Sequence, residues 1–279
     1  MSRPKKHHIV PQLLLRNFTD EAGKFYIYNK FEPKPVIRQS IPKNEFIFNQ
    51  FYSTYDSAGN RDASFEQFQG EYIEGSAGPV IKKLVERNDY TLNTQEKDFF
   101  YNFILNLWQR SPDSNLNVNS IPSGYEDAII EASKQAPFHV PDEHIKKMLY
   151  DPRTKAEMIQ RIKVNVLQIK PEGPLNFLAT KGMCISKIKK SNKSFIVGSS
   201  IFAREANING DTDLRISGVK LWLPLSPKIA YTPLGMLDEI SIIEPTNLQI
   251  RLINQQIYNN SRIVASASKR LLESLINSR

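Results

Sequence analysis

The spacing of apolar positions changes along the chain, and each change predicts a different kind of structure. In the first third, short apolar or β-branched runs at 25–28 and 35–37 lie between glycine and prolines, which favours strands over helices. Across 64–89, apolar residues recur every three or four positions, which predicts a helix with Ser64 as its N-cap. Three residues that disfavour a straight helix lie in its middle: Gly75, Gly78 and Pro79.

The clearest predicted helix covers 94–110 and ends before Ser111-Pro112. Its apolar stripe is wide enough to imply burial on more than one side. The stripe consists of Phe99, Phe100, Phe103, Ile104, Leu107 and Trp108. A polar loop is predicted over 113–124, and further helices are predicted over 124–135, 141–150 and 152–166.

After about residue 174 the pattern returns to strands. Two strand pairs are predicted, 182–188 with 194–197 and 219–225 with 228–231. The first pair is expected to form a hairpin whose tip is the lysine-rich segment 189–193. Helices are predicted after Thr246 and from Ser268.

The order of strands, helices, strands and helices predicts an α+β fold class rather than a doubly wound sheet. We expect short N-terminal strands, a predominantly helical middle and a C-terminal antiparallel β portion. These correspond to three sub-layers: a strand and loop arm over 1–63, a helical layer over 64–170, and mixed strand and helix over 171–279.

Composition narrows the class of protein. The 279 residues are 40% hydrophobic and 24% charged, which is typical of a globular chain. The lone cysteine, Cys184, excludes an intrachain disulfide scaffold, and we expect it to be a small core residue. The first twelve residues lack the apolar core of a signal peptide, and no apolar run is long enough to cross a bilayer. We therefore expect a cytoplasmic protein without a membrane partner.

The basic excess is unevenly distributed. The chain has 37 Lys and Arg against 29 Asp and Glu, a net charge of +8. The basic side chains are concentrated in 1–50 and 151–200, whereas 51–150 is net acidic. Two basic segments that meet in space can bind a polyanion, although an ordinary solvated surface explains them equally well. The candidate nucleic-acid-binding residues are Lys5, Lys6, Arg110, Lys189, Lys190 and Lys193.

The densest candidate chemistry lies in the N-terminal segment 5–18. His7 and His8 titrate near neutrality and can transfer protons or bind a metal, while Arg16 can hold a phosphate. Adjacent residues of a strand point to opposite faces, and we expect His8 to be the inward one. The alternative is a structural segment, docked through Pro11 and the leucines 13–15.

Residues 8–11, HIVP, resemble the first motif of HNH-type nucleases. The resemblance implies a histidine that activates water against a phosphodiester, a divalent metal, an asparagine and a second histidine on a following helix. Asn17 is the candidate asparagine. No histidine occurs between His8 and His139, so a local HNH finger is incomplete.

A longer resemblance covers nearly the whole chain as a single family unit, 1–279. Segments 6–12 (KHHIVPQ) and 15–18 (LRNF) resemble the opening of the domain-of-unknown-function family numbered 4238. Segments 109–112 (QRSP) and 223–227 (LPLSP) resemble its later motifs. Glu66 and Glu74 match the spacing of that family's helical acidic pair.

The chain departs from this family at 198–201, where GSSI replaces the usual Ser/Gly-Asp-Asn-Pro. If that aspartate binds a metal or orients a histidine in relatives, Glu66 or Glu74 must replace it here. The family has no established activity, so the resemblance supplies motifs rather than a reaction.

Three functional hypotheses follow. The first is a nucleic-acid-acting, nuclease-like effector of microbial defence, in which His8 is the general base or metal ligand and His7 and Arg16 hold phosphate. Glu66 and Glu74 are then its carboxylate partners, and a divalent metal is the candidate cofactor. The second is a non-catalytic interaction module with a structural N-terminal motif. The third is an enzyme that clamps a small phosphorylated or carboxylated ligand between Arg16 and Arg110.

Overall fold

The computed structural model describes residues 6–49, 54–55, 61–62, 64–111, 121–137, 139–168, 172–211, 213–214, 216 and 218–278. The fold is α+β, as the order of elements predicted. Most strands lie before residue 63 or after residue 182, helices occupy the middle of the chain, and two further helices lie near its C-terminal end. Lys5 and most of the predicted loop 113–124 lie outside the described residues.

The helices follow the amphipathic segments of the sequence. Two short ones precede the middle of the chain: α1 (Gln12–Leu15) and α2 (Ser64–Phe68). The helical middle comprises α3 (Gly75–Val85), α4 (Thr94–Arg110), α5 (Ile121–Gln135), α6 (Asp142–Tyr150), α7 (Pro152–Gln168) and α8 (Glu172–Ala179). Two helices close the chain: α9 (Asn247–Asn260) and α10 (Lys269–Ile276).

The strands form two small pairs and two larger sheets. The N-terminal strands are β1 (Lys6–His8), β2 (Phe25–Asn29), β3 (Arg38–Ser40), β4 (Ile47–Asn49), β5 (Thr54–Tyr55) and β6 (Arg61–Asp62). The later strands are β7 (Met183–Lys187), β8 (Val197–Gly198), β9 (Ala203–Glu205), β10 (Lys220–Pro224), β11 (Ile229–Pro233), β12 (Ile240–Ile243) and β13 (Ile263–Ser266).

Sheet topology joins the two ends of the chain. A four-stranded sheet has the order β3-β2-β13-β8, so an N-terminal strand pairs directly with the last strand of the chain. A five-stranded sheet has the order β12-β7-β11-β10-β9. It is antiparallel except for β12, which runs parallel to β7. The remaining pairs are β1 with β4 and β5 with β6.

Among the described residues, the main core lies between both larger sheets and helices that include α3, α4 and α9, and a small separate cluster consists of Phe65, Val164 and Leu167. Phe18, Phe103, Trp222 and Val264 are completely buried members of the main core, although they come from distant parts of the sequence. Phe100 of α4 meets Tyr231 of β11 edge to face, with ring centroids 5.0 Å apart. The broad apolar stripe of α4 is therefore buried on several sides, as predicted. Cys184 is also buried, as expected.

Helix starts agree with the capping residues. The Asn93 side chain accepts from the Glu96 backbone N–H, and Glu96 accepts from the Asn93 N–H, which completes a capping box at the start of α4. Thr246 and Gln249 form the same box at the start of α9. Ser268 caps α10 through the Leu271 N–H.

The predicted hairpin across 189–193 is wrong. β7 pairs with β11 and β12, while β8 pairs with β13 in the other sheet. The segment between β7 and β8 crosses the β10–β11 turn, where Phe195 N–H donates to the Pro227 carbonyl. The alternation of apolar residues identified both strands, but it does not specify which strand pairs with which.

One strand was predicted with the wrong bounds, and several elements were missed. The strand expected at 35–37 is found at Arg38–Ser40. The helix α8 was missed because Pro174 suggested a break, yet this proline lies in the first turn, where its missing N–H needs no helical partner. Strands β12 and β13 were not predicted either.

Candidate functional site

The strand pair β1–β4 positions His8. His8 lies opposite Ile47 in the antiparallel register, and the Ile9 N–H donates to the Phe46 carbonyl at 3.0 Å. His8 Nε2 lies 3.2 Å from the carbonyl oxygen of Pro42, in the short turn that precedes β4. A carbonyl can only accept, so this contact requires a proton on Nε2. The Nδ1 atom of a neutral His8 then carries the free lone pair.

The turn that contacts His8 is held by a buried carboxylate. Glu45 is 8% exposed, and both of its oxygens accept from Arg38. Ser40 donates to the same carboxylate at 2.6 Å. Phe46 next to it adopts a positive φ of 57°, which is an unusual conformation for a side chain of this size. The turn around Pro42 is therefore fixed by charge-assisted hydrogen bonds rather than by sequence-local propensity.

The two histidines differ in burial. His7 is 3% exposed, whereas His8 is only half-buried. The alternation of the strand therefore separates them, with His7 directed into the core. His8 consequently retains contact with solvent, as a general base must.

Burial sets the protonation state of His8. Partial desolvation lowers the pKa of His8 below its ordinary value of 6.5, and this effect exceeds the opposing influence of the Pro42 carbonyl. The charge of Glu74 also acts to raise the pKa, which means that this carboxylate lies within electrostatic range of the imidazole. A neutral imidazole at pH 7 is the form that accepts a proton or binds a metal.

A π-helical turn, Gln69–Glu74, separates α2 from α3. In an α-helix, residues five positions apart point about 140° away from each other. The i→i+5 hydrogen bonding of a π turn instead brings Gln69 and Glu74 to one face. Pro79 lies in the helix that follows and cannot donate a backbone hydrogen bond.

Arg110 joins the two ends of this turn. Its Nη1 donates to Glu74 Oε1 at 2.9 Å, and its Nη2 donates to Gln69 Oε1 at 2.6 Å. The arginine side chain is 1% exposed. A guanidinium buried and paired in this way is not presented to an external phosphate. Arg110 therefore fits a positioning residue for Glu74 better than the anion clamp or nucleic-acid contact predicted from the sequence.

Three predicted site residues thus converge. His8 comes from β1, Glu74 from the end of the π turn, and Arg110 from the last turn of α4. Glu74 connects them, because it is ion-paired to Arg110 and acts electrostatically on His8. Its side chain is 26% exposed. A partly exposed carboxylate within electrostatic range of a neutral imidazole can stabilise the imidazolium that forms on proton transfer.

The departure at 198–201 lies next to this cluster. Ser200 Oγ lies 3.2 Å from Ser111 Oγ, and Ser111 follows Arg110 directly. The Ser200 N–H donates to Ser261 Oγ at 3.0 Å. Ser199 Oγ accepts from the backbone N–H groups of Arg262 and Ile263. Both serines are buried and take part in hydrogen bonds that involve backbone N–H groups, so this segment has a structural role.

Asn17, the candidate asparagine of an HNH motif, has a structural role instead. Its side-chain amide donates to the Leu225 carbonyl at 2.9 Å. This bond ties the N-terminal LRNF segment to the LPLSP segment 208 residues later. Ser226 of the latter accepts from the Lys228 and Ile229 N–H groups and closes the turn.

The other predicted residues are not seen in the cluster. Arg16 is exposed, and its guanidinium lies 3.5 Å from Gln12 Oε1. Glu66 lies in α2, and Lys6 lies in β1, but their side chains fall outside the described part of the chain. Lys189 is paired with Glu244 at 3.5 Å, and Lys190 donates to Asn247. These lysines belong to a different region of the surface, together with Lys193.

Within the residues that the structure describes, no group of three or more His, Cys, Asp or Glu side chains is arranged to hold a metal ion. None of the helices in that part of the chain is both long and apolar enough to cross a membrane.

The fold and these motifs define an α+β protein in which the helical Glu74–Arg110 pair lies within electrostatic range of His8. The chain belongs to a family of proteins of unknown function, DUF4238, whose model matches residues 6–262. The family expected from the sequence is thereby confirmed. No curated protein and no solved structure matches the chain.

Sequence reasoning missed Gln69 and Glu45 as parts of this site. Gln69 was treated as an ordinary position of an α-helix, because the three-to-four periodicity continues past it. The glycines at 70 and 75 and Pro79 were the available signals that the helix departs from α geometry. Glu45 had no comparable signal, since its partners Arg38 and Ser40 are brought to it by the turn.

Proposed function

We propose that this protein is a nuclease-like effector that acts on the phosphodiester backbone of nucleic acids. The observation that carries the proposal is the convergence of His8, Glu74 and Arg110 from three separate segments. A neutral imidazole within electrostatic range of a carboxylate can act as a general base that activates water. The basic excess of the chain favours an anionic substrate.

Each residue of the cluster has one role in this mechanism. His8 Nδ1 takes a proton from the attacking water, while Nε2 keeps its proton on the Pro42 carbonyl. Glu74 stabilises the imidazolium that results, because opposite charges lie close together. Arg110 and Gln69 orient Glu74 from within the core. His7 supports β1 rather than the reaction, since it is buried.

The proposal extends to cellular context. A single buried cysteine and no disulfide are typical of a chain that works in a reducing compartment such as the cytoplasm. An effector of microbial defence would impair its host when it is overproduced. Expression of the wild-type chain and of the Glu74→Gln variant in a bacterial host therefore tests this role: growth arrest by the wild type alone supports it, and harmless wild-type protein contradicts it.

A direct assay tests the chemistry. Labelled single-stranded DNA, duplex DNA and single-stranded RNA are incubated with the purified protein in Mg²⁺, Mn²⁺ or EDTA. Glu74→Gln should lower the cleavage rate, because the imidazolium that forms on His8 loses the favourable charge of Glu74. Glu71→Gln is the matched control, since Glu71 is an exposed carboxylate of the same π turn that contacts Gln67. Cleavage that is absent in every condition, or equal in both variants, contradicts the proposal.

A non-catalytic interaction module is the second candidate. It is favoured because the polar side chains of the cluster already have partners within the protein: Arg110 binds Glu74 and Gln69, and His8 binds a backbone carbonyl. In this case Glu74→Gln lowers the melting temperature and no nucleic acid is cleaved by the wild type. The same assay therefore separates the two functions.

A further inference from the structure

A groove with a basic lining lies outside the His8 cluster. It is a groove of about 860 Å³ between α9, α10 and the segment 191–194. One side is formed by α9 residues that include Asn247 and Arg251, and the other by α10 residues that include Arg270 and Ser274. The volume lies near the upper end of the roughly 300–1,000 Å³ range of small-molecule sites.

The charge of this groove has one sign. Three of its lining residues are cationic, namely Lys193, Arg251 and Arg270, and none of the described lining residues is Asp or Glu. Among the ion pairs and side-chain hydrogen bonds of the described residues, none involves these three cations. By contrast, Lys189 and Lys269 nearby are paired with Glu244 and Glu273. Three unpaired cations facing one concavity attract an anion with several charges.

The segment 191–194, which forms one wall of the groove, is held in a defined position. The Lys228 ammonium group donates to the backbone carbonyls of Lys190, Ser191 and Lys193. The Asn254 side chain accepts from the Ile196 N–H and donates to the Ser194 carbonyl. Because these carbonyls are occupied from the protein side, the segment is fixed without a ligand. Such a wall is preformed for binding and does not need to be ordered first.

The chemistry of the lining favours a phosphodiester chain over a compact ligand. Three of the lining residues are cationic and none of the described ones is acidic, a charge that a compact organic ligand with a few polar groups would not neutralise. A concave basic groove follows the flexible backbone of a single strand. The described lining contains no Phe, Tyr or Trp on which bases could stack. Recognition would therefore be electrostatic and independent of base sequence.

The groove is separate from the His8 cluster. Ser261, which contacts Ser200 beside the cluster, lies at the C-terminal end of α9. Arg251 lies ten residues earlier, which corresponds to about 15 Å along the helix axis. None of the residues that line the groove belongs to the His8 cluster, so binding and cleavage are measured with different variants.

We propose that the groove between α9, α10 and the segment 191–194 is a binding site for the phosphodiester backbone of single-stranded nucleic acid, with Lys193, Arg251 and Arg270 as its phosphate contacts. The nature of the ligand rests on the proposed nuclease-like function. The site itself does not, because binding is measurable without cleavage.

The test is a binding titration with a labelled 20-nucleotide single strand of mixed sequence in EDTA, followed by fluorescence anisotropy at several salt concentrations. The triple variant Lys193→Gln, Arg251→Gln, Arg270→Gln should bind about tenfold or more weakly near 0.1 M salt. Its slope of log affinity against log salt should fall by about 2 units, because each phosphate contact to a single strand contributes about 0.7.

The matched control removes the same charge elsewhere. The control is the triple variant Lys82→Gln, Lys134→Gln, Arg153→Gln. These three residues lie on exposed helical surfaces, each in an ion pair with a residue three or four positions away. This control variant should bind the labelled single strand with the affinity and salt slope of the wild type. Equal affinity and slope in both triple variants overturn the groove assignment, as does a wild type that binds inorganic tripolyphosphate but not the single strand.

The two proposals fail in different ways. If Glu74→Gln abolishes cleavage while binding and its salt slope remain, both proposals stand. If the wild type binds the single strand but never cleaves it, and the groove variant loses this binding, the groove assignment stands and the nuclease-like function fails. Preferential binding of a duplex of the same sequence overturns the assignment to a single strand.

Discussion

Arg110 and Glu74, 36 residues apart in the sequence, form an ion pair with a nitrogen–oxygen distance of 2.9 Å, and the arginine is almost completely buried. The same arginine also donates to the side-chain oxygen of Gln69, which is 3% exposed. This pair connects the core helix α4 to a carboxylate that acts electrostatically on His8. Its integrity should therefore affect both the stability of the fold and the chemistry of the cluster.

Arg110→Met is expected to destabilise the protein by about 3 kcal/mol or more. The substitution leaves the Gln69 amide oxygen buried without its donor and leaves Glu74 without its cation. Urea denaturation followed by circular dichroism measures the change. Arg153→Met is the control, since Arg153 is exposed and paired only with Glu157. An unchanged midpoint for Arg110→Met contradicts the structural role of the pair.

Stability should depend on pH through His8. Because burial lowers the pKa of His8 in the folded state, the unfolded chain takes up a proton first as the pH falls below 6.5. The unfolded state then binds more protons, and the melting temperature decreases between pH 7.5 and 5.5. His8→Gln should reduce this decrease, whereas His144→Gln on the exposed side of α6 should retain it. Equal pH profiles for all three proteins refute the shift.

Phe103→Ala is expected to lower the free energy of unfolding by about 3–5 kcal/mol. Phe103 is completely buried in the main core, so the substitution creates a cavity. Phe31 is 66% exposed and serves as the control, for which Phe31→Ala should have a much smaller effect. Similar denaturation midpoints for the two variants would mean that α4 is not the central core helix.

Ser199 tests the segment where the family usually has Asp-Asn. Its hydroxyl accepts from two backbone N–H groups, so Ser199→Ala should cost about 1–3 kcal/mol. Aspartate can accept the same two hydrogen bonds. We therefore expect Ser199→Asp to unfold at a higher urea concentration than Ser199→Ala. The reverse order would indicate that the aspartate of relatives has a role other than accepting these bonds.

The sequence predicted what depends on local patterns. The stripe of α4 marked that helix, and Thr246 and Ser268 marked the starts of α9 and α10, because a buried face and a cap leave a direct trace in the sequence. The hairpin at 189–193 was wrong because strand partners are chosen by tertiary packing. Here the Lys228 and Asn254 side chains direct the chain from one sheet to the other.

The candidate site was predicted in part. Glu74 and Arg110 were named through a family resemblance, and His8 through its chemistry. The burial of His7 could not be predicted, since alternation gives two equivalent faces until the core is known. The pairing of Gln69 with Arg110 depends on the π turn, and a three-to-four periodicity does not distinguish a π turn from the α-helix around it.

The cleavage rate of His8→Gln under single-turnover conditions tests the central claim most directly. Glutamine keeps a donor for the Pro42 carbonyl but has no group that titrates near neutrality. The account predicts a rate about 10²–10⁴ times lower than that of the wild type, with an unchanged melting temperature at pH 7.5. Undiminished cleavage, or a loss of cleavage that only follows the folded fraction, would contradict the assignment of His8 as the general base.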